Sequence, residues 1–409
     1  MIALLQFSVA NYRSIHEQRI ISFLASSIKD EPRENVVAKD RIKYLCTTAI
    51  YGANSSGKSN LIQAMGTMTD IIFDSARLND GDKLPYDPFA LAAGSLAKPT
   101  MFEVVFIISD QKYRYGFEYD DDQIRAEWLY RSTTRLAKET ALFVRTEEGI
   151  GVNAGVFEEG IGLEGKTNAN RLYLSVVSQL GGDDAISKEV MSFFRKFNVI
   201  SGLSDAGYHN VTKDMFLNGR EESEEAIRLF NDLKLGFSDV TAKEVKSATG
   251  RSEILVYTRH TVYSRNGQPK RNLYFDMESM ESAGTKKLFE LAGPIVNTLL
   301  YGKVLVIDEL DAKMHPLISQ HLVSVFNNPE KNRYNAQLIF TTHDTHLLSS
   351  ALLRRDQIWF TEKNDKEETD VYSMMDILLP DGSKPRSDNN LEKNYIMGRY
   401  GAIPFIMND

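Results

Sequence analysis

Gly52-Ala-Asn54-Ser55-Ser56-Gly57-Lys58-Ser59 satisfies the pattern G-x-x-x-x-G-K-[ST] in full. Glycines at the two ends let the backbone curl so that successive N–H groups face one point, a nest that suits phosphate oxygens. The apolar, β-branched run Tyr44–Tyr51 comes before it. Helical spacing follows over residues 59–75, with Leu61, Ile62, Met65, Met68, Ile71 and Ile72 on one face. The loop therefore opens a helix whose N-terminal dipole favours an anion. Lys58 is expected to reach the β- and γ-phosphates of a nucleotide, and the Ser59 hydroxyl to ligate Mg2+. Asn54, Ser55, Ser56, Gly57 and Asn60 complete the expected nucleotide-binding set.

A second group lies far along the chain. Lys303-Val-Leu-Val-Ile-Asp308-Glu309 is an apolar run ending in two carboxylates. Such runs suit the middle of a parallel sheet, where ligands sit at the carboxyl ends of the strands. Asp308 is expected to hold Mg2+ and Glu309 to act as general base toward a water. The run Gln337–His343 ends beside the same edge and places His343 near the γ-phosphate and that water. Ser282-Ala-Gly284-Thr285 precedes a helix with the apolar face Leu288, Leu291, Ala292, Ile295 and Leu299, a second device that offers amides and hydroxyls at a helix N-terminus. His315, His343 and His346 make a poorly motivated metal set, and His346 reads as structural.

Elements must bring these segments together. The expected strands are Leu5–Ala10, Arg19–Leu24, Met101–Ile108, Lys112–Tyr119, Ile124–Arg131, Glu253–Tyr263 and Arg271–Glu278, with Asn266-Gly267 as a hairpin turn. Residues 26–39 read as loop. Helices are expected over Ile186–Phe197 and Glu221–Leu235, where Glu221, Glu222, Glu224 and Glu225 form a solvated helix start. From residue 285 the order is helix (285–300), strand (303–307), helix (316–327), strand (335–341), helix (344–353), strand (357–361), which means a parallel sheet with crossover helices. Three segments follow: 1–132 and 246–409 as two halves of one α/β head, and 133–245 as a mainly helical insertion. There is no internal repeat. Trp128 and Trp359 read as apolar anchors, and Arg354-Arg355 as helix-end capping.

Composition sets outer bounds. The chain has 409 residues, a formal charge of −8 and 42% apolar residues, an ordinary globular balance. One cysteine, Cys46, cannot form an internal bridge, and it reads as a buried small hydrophobe. No apolar run approaches the ~18 residues of a membrane span. Met1-Ile-Ala-Leu-Leu-Gln lacks the basic start of a signal peptide. The expectation is a cytoplasmic protein without a membrane partner, and the acidic balance speaks against a wholly basic nucleic-acid binder.

Taken together, the phosphate loop, Ser282-Ala-Gly-Thr285, Asp308-Glu-Leu-Asp311 and Thr342-His343 resemble the ABC-type ATPase heads of the RecF and SMC group. The resemblance implies a P-loop NTPase head with a mixed sheet core, an antiparallel β subdomain and the insertion. It implies ATP and Mg2+ as cofactors, and two protomers that sandwich two nucleotides. Ser282, Gly284 and Thr285 would then act in trans as the signature, Asp311 would be a dimer contact, and His343 the switch histidine beside the catalytic Glu309. Phe7–Ser14, Asp308–Pro316, Arg354–Phe360 and Tyr395–Pro404 also resemble the bacterial AbiL/RloA-like AAA-type ATPases, close to the ATPase subunits of the PARIS and Septu anti-phage systems. That resemblance implies a homodimer or larger homo-oligomer that controls a separate effector, a toprim- or HNH-type nuclease. The alternative is a RecF-like DNA-binding repair or recombination ATPase. Departures are plain: the signature is not Leu-Ser-Gly-Gly-Gln, Gln63 is a poor Q-loop candidate, Asp87-Pro88-Phe89 stands near the lid position, and there is no long coiled coil.

Overall fold

The computed structural model describes residues 1–28, 32–136, 138–182, 185–203, 207–219, 221–246, 252–379, 382–386 and 390–404. Its centre is a six-stranded sheet in the order Phe197–Ser201, Val304–Asp308, Gln337–Thr341, Thr47–Tyr51, Ile358–Lys363, Thr369–Ser373. The first five strands run parallel, and the sixth pairs antiparallel at the edge. Strands from both ends of the chain are interleaved, so one sheet carries the phosphate loop and the acidic pair on the same edge.

A seven-stranded antiparallel sheet lies alongside, in the order Gly149–Val152, Thr140–Thr146, Ile124–Thr133, Gln111–Tyr119, Thr100–Ile108, Ile2–Ala10, Arg19–Ser22. The helix Lys58–Asp74 fills the space between the two sheets. Its buried Leu61, Ile62, Met65, Met68 and Ile71 share one core with Phe7 and Phe102 of the antiparallel sheet and with Val304, Val306 and Ile339 of the central sheet. The alternate residues Leu305, Ile307, Leu338 and Phe340 face the other way, into a second core with Leu288, Leu291 and Ile295 of the helix Ala283–Tyr301 and Leu322 of the helix Pro316–Asn327. Burial on both faces is why the acidic strand is apolar throughout.

Several expectations need correction. Residues 344–353 form only a 3-10 turn, Thr345–Leu347, because the Asp344 side chain accepts from His346 N and closes a tight turn instead of capping a helix. Tyr44–Tyr51 is two strands. Ile42–Leu45 pairs with Val36–Lys39, inside the expected loop, and Thr47–Tyr51 joins the central sheet. The helix from Ile186 ends at Phe194, and Phe197 begins a sheet strand. Phe193, Phe194 and Phe197 are all buried against Phe106 and its neighbours.

The stretch 133–245 carries more β structure than its polarity suggests. Thr140–Thr146 and Gly149–Val152 extend the antiparallel sheet, Phe197–Ser201 edges the central sheet, and Asp239–Lys246 joins a three-stranded sheet with Ser252–Tyr263 and Pro269–Asp276. Expected features that the structure reproduces include buried Cys46, the turn around Gly267 and the start of the acidic helix at Glu221. Arg354-Arg355 does not end a helix, since 344–353 forms none: Arg354 stands before the short 3-10 turn Arg355–Gln357 and pairs with Asp356 at 2.7 Å. No helix among the described residues is long and apolar enough to cross a membrane.

Candidate nucleotide site

The phosphate loop leaves the central sheet at Tyr51 and returns as the helix beginning at Lys58. Gly57 is the helix N-cap in the left-handed region (φ 103°), and it has no side chain to cap with. Among the described residues, the amides of Gly57, Lys58, Ser59 and Asn60 find no acceptor within the chain. Four inward donors at a helix N-terminus form a ready anion cradle.

Lys58 is buried and donates from Nζ to the carbonyls of Gly52 (2.8 Å) and Ala53 (3.0 Å), which leaves one ammonium proton unassigned. The Cβ of an alanine at 57 would stand 2.0 Å from Thr369 Oγ1, so the loop has no room for a larger residue. These features fit a nucleotide phosphate held by the loop amides and Lys58.

Hydroxyls fix the loop in place. Ser56 Oγ meets Thr361 Oγ1 at 2.6 Å. Thr369 Oγ1 donates to the Ser56 carbonyl (3.0 Å) and meets Ser14 Oγ (2.8 Å), which in turn accepts from Asn60 Nδ2 at 2.6 Å. The side chains of Ser56 and Asn60 are thus engaged in bracing; the Ser56 amide donates to the Ala53 carbonyl at 3.2 Å, and the Asn60 amide stays among the four donors of the cradle. Ser14, Thr361 and Thr369 were missed by sequence reasoning. Their only signal is a hydroxyl at a turn or strand end, and that type is common in such places.

The acidic pair sits at the far end of its strand, one strand away from the phosphate-loop strand. Thr341, at the end of the strand between them, donates to Asp308 Oδ1 (2.6 Å) and accepts from the Glu309 amide (2.7 Å). Glu309 itself lies in the left-handed region (φ 57°), so the chain turns sharply there and its carboxyl leaves the strand line. Gly202 donates its amide to the Asp308 carbonyl at 2.5 Å, and a Cβ there would stand 2.0 Å from the Glu309 carbonyl. Only glycine allows that approach. Thr341 and Gly202 are therefore positioning residues that the sequence reading gave no role.

The charged groups of these parts act on one another. Burial lowers the pKa of the Lys58 ammonium from its ordinary value, against the opposing pull of Asp308, Glu309 and Asp311. Burial, and then the carboxylates of Asp308 and Asp311, raise that of Glu309, with Lys58 working against them. Burial, and then Lys58, lower that of His343, against Asp311 and Asp308. A carboxylate with raised pKa and a neutral imidazole beside a lysine suit proton handling. His343 donates its amide toward Asp311 Oδ2 at 3.4 Å, and Asp311 Oδ1 is buried with no partner among the described residues. Among the described residues Ser59 Oγ and the second oxygen of Asp308 make no hydrogen bond, and both are hard oxygen donors of the kind that Mg2+ takes. Among the described residues, His315, His343 and His346 do not form a metal-holding group: His315 caps a helix and His346 pairs with Asp344 at 2.9 Å.

The signature segment is built differently. Ser282 caps the helix Ala283–Tyr301, its hydroxyl accepting from Thr285 N at 3.1 Å and meeting Thr285 Oγ1 at 2.9 Å. The hydroxyl expected to be free is thus engaged, although Ser282 itself is exposed. A Cβ on Gly284 would stand 3.3 Å from the Lys313 carbonyl, which puts the signature against the turn that carries Asp311. No hydrogen bond links Ser282, Gly284 or Thr285 to the phosphate loop among the described residues.

A strand–phosphate loop–helix unit, with an acidic pair at the end of a parallel strand two places away in the same sheet, defines a P-loop NTPase, and the flanking antiparallel sheet gives it the form of an ABC-type head. Residues 47–349 match the family described as "AAA domain, putative AbiEii toxin, Type IV TA system", and the chain belongs to that family. No curated protein matches it. Among solved structures it is similar to the SMC head domain from Thermotoga maritima, with 15% identity over 90% of this chain and 98% of that one and a TM-score of 0.42. It is also similar to an SmcHead bound to the C-winged helix domain of ScpA, with 15% identity over 90% and 97% and a TM-score of 0.44. A third is the recombination mediator RecF with ATPrS, with 13% identity over 91% and 98% and a TM-score of 0.31.

Proposed function

We propose that the chain is an ATP-binding and ATP-hydrolysing regulatory ATPase that dimerises around nucleotide and controls a separate effector protein in bacterial anti-phage defence. The observation that carries the nucleotide chemistry is the meeting of Lys58, Asp308, Glu309 and His343 at one sheet edge beside an uncapped helix N-terminus.

In this reading the loop amides and Lys58 hold the β- and γ-phosphates. Ser59 and Asp308 hold Mg2+, which supplies charge neutralisation to the phosphates when bound. Glu309, raised in pKa and turned out of the strand, takes the proton of the attacking water. His343, kept neutral, is placed to sense the same phosphate. Thr341 keeps Asp308 and Glu309 at a fixed spacing. Ser282, Gly284 and Thr285 are presented outward for the nucleotide of a second protomer, and Asp311 for the contact between protomers. The family description, which names a toxin–antitoxin system, supports the defence role, and the resemblance to PARIS and Septu ATPases supports both that role and a toprim- or HNH-type nuclease partner. The RecF-like alternative of DNA repair shares the same nucleotide site.

The test is Glu309→Gln. It should bind a fluorescent ATP analogue with wild-type affinity, lose about 10²–10⁴-fold in turnover, and accumulate as a dimer in ATP by light scattering. Undiminished turnover in this variant would show that the base lies elsewhere.

A further inference from the structure

One exposed element stands apart from the nucleotide site in charge and in placement. Strands Ser252–Tyr263 and Pro269–Asp276 form a hairpin on the three-stranded sheet, with the turn closed by Ser264 N donating to the Gln268 carbonyl at 2.8 Å. Every residue from Pro269 to Tyr274 is exposed, and the rings of Tyr263 and Tyr274 are 62% and 55% exposed. Residues 263–272 contain Arg265, Lys270 and Arg271 and no acid, in a chain of net charge −8. None of these three cations makes an ion pair or a side-chain hydrogen bond among the described residues.

The hairpin is also joined to the signature. Its second strand runs directly into the short helix Met277–Met280 and then Ser282. Glu281, the residue before the Ser282 cap, accepts from Thr258 Oγ1 and pairs with His260 Nε2 at 2.9 Å. The first hairpin strand therefore holds the entry to the signature helix.

We propose that the hairpin tip is a docking element for duplex DNA, and that contact there alters the signature helix and hence ATP turnover. Three unpaired cations and no acid match a phosphate backbone in sign. Beyond Arg259, where the first strand leaves its pairing with Asp239–Lys246, the hairpin runs on as a two-stranded ribbon, an element that the major groove admits, and the exposed Tyr263 and Tyr274 add flat apolar contact. The link to turnover rests on the trans role of Ser282 proposed above; the docking does not.

The experiment measures anisotropy of a labelled duplex of about 30 bp, a length of roughly three turns, with full-length wild type and with R265E/K270E/R271E. A charge-matched control, R33E/K98E/K166E, alters exposed cations elsewhere. The hairpin variant should bind at least about 10-fold more weakly, and its log–log salt slope should fall by about 3. The control should stay within about twofold of wild type. Lys58→Ala protein should still bind DNA through the hairpin, which separates this reading from the nucleotide chemistry. Duplex should stimulate wild-type turnover and leave the hairpin variant at its unchanged unstimulated rate. Absence of duplex binding by wild type, equal binding by the hairpin variant, or equal loss in the control overturns the docking. Capture of acidic protein without DNA binding does the same. DNA binding with unaltered turnover overturns the link to the signature.

Discussion

Two helix N-termini in this molecule carry small, hydroxyl-rich sequences, and they are finished in opposite ways. At Gly57 the cap has no side chain, and the first amides of the helix find no acceptor among the described residues. At Ser282 the cap hydroxyl accepts from Thr285 N, so the helix satisfies itself. The first is surrounded by bracing hydroxyls from three other segments, while the second stands exposed, set against the turn at Lys313 and held at its entry by Thr258 and His260 through Glu281. Similar residue types thus yield a preformed anion receptor in one place and a closed, outward-facing cap in the other. The difference suits a site whose loop half is complete in one protomer and whose signature half is offered to another.

The largest way to break that contrast is Lys58→Ala. It should weaken nucleotide binding by more than about 100-fold in a fluorescent-nucleotide titration, since it removes the one buried cation at the cradle, while far-ultraviolet circular dichroism stays unchanged. Thr341→Val comes next. It strips Asp308 and Glu309 of their shared partner and should lower stability by about 1–3 kcal/mol in urea unfolding, with turnover falling while nucleotide affinity holds. Ser282→Ala should cost about 1 kcal/mol by loss of its cap and leave nucleotide binding to the single protomer intact. Affinity falling with Ser282→Ala as it does with Lys58→Ala would erase the distinction. The smallest effect concerns Cys46, whose thiol burial pushes up to about 12. Because the thiolate is the reactive form, native protein at pH 8 should resist a thiol reagent over the time in which urea-unfolded protein reacts fully.

The candidate nucleotide site is legible in the sequence to the extent that covalent spacing fixes it. The phosphate loop and the acidic pair are short contiguous motifs, and each landed at a strand end as its flanking pattern required. What could not be read was contact between distant segments. Thr369, Ser14 and Asn60 meet through hydroxyls and an amide whose types occur in any loop. Gly202 matters only because the Glu309 carbonyl happens to approach it. The fold shows the same split. Long strands with clear alternation, such as Gln111–Tyr119, emerged close to expectation. The β content of 140–152 did not, because Thr140–Thr146 is short and only partly buried and the edge strand Gly149–Val152 has little burial, so both carry a weak pattern. The segment after His343 misled because its leucines have helical spacing, whereas Asp344 closes a tight turn instead.

The central claim, that one protomer's phosphate loop works with the other's signature, is tested most directly by mixing two inactive variants. Lys58→Ala supplies an intact signature, and Ser282→Arg supplies an intact phosphate loop. Each alone should hydrolyse almost no ATP. Mixed in equal amounts, random dimers should recover about a quarter of wild-type turnover, because half of them hold one complete site of two. No recovery in a mixture shown by light scattering to contain heterodimers would contradict the account.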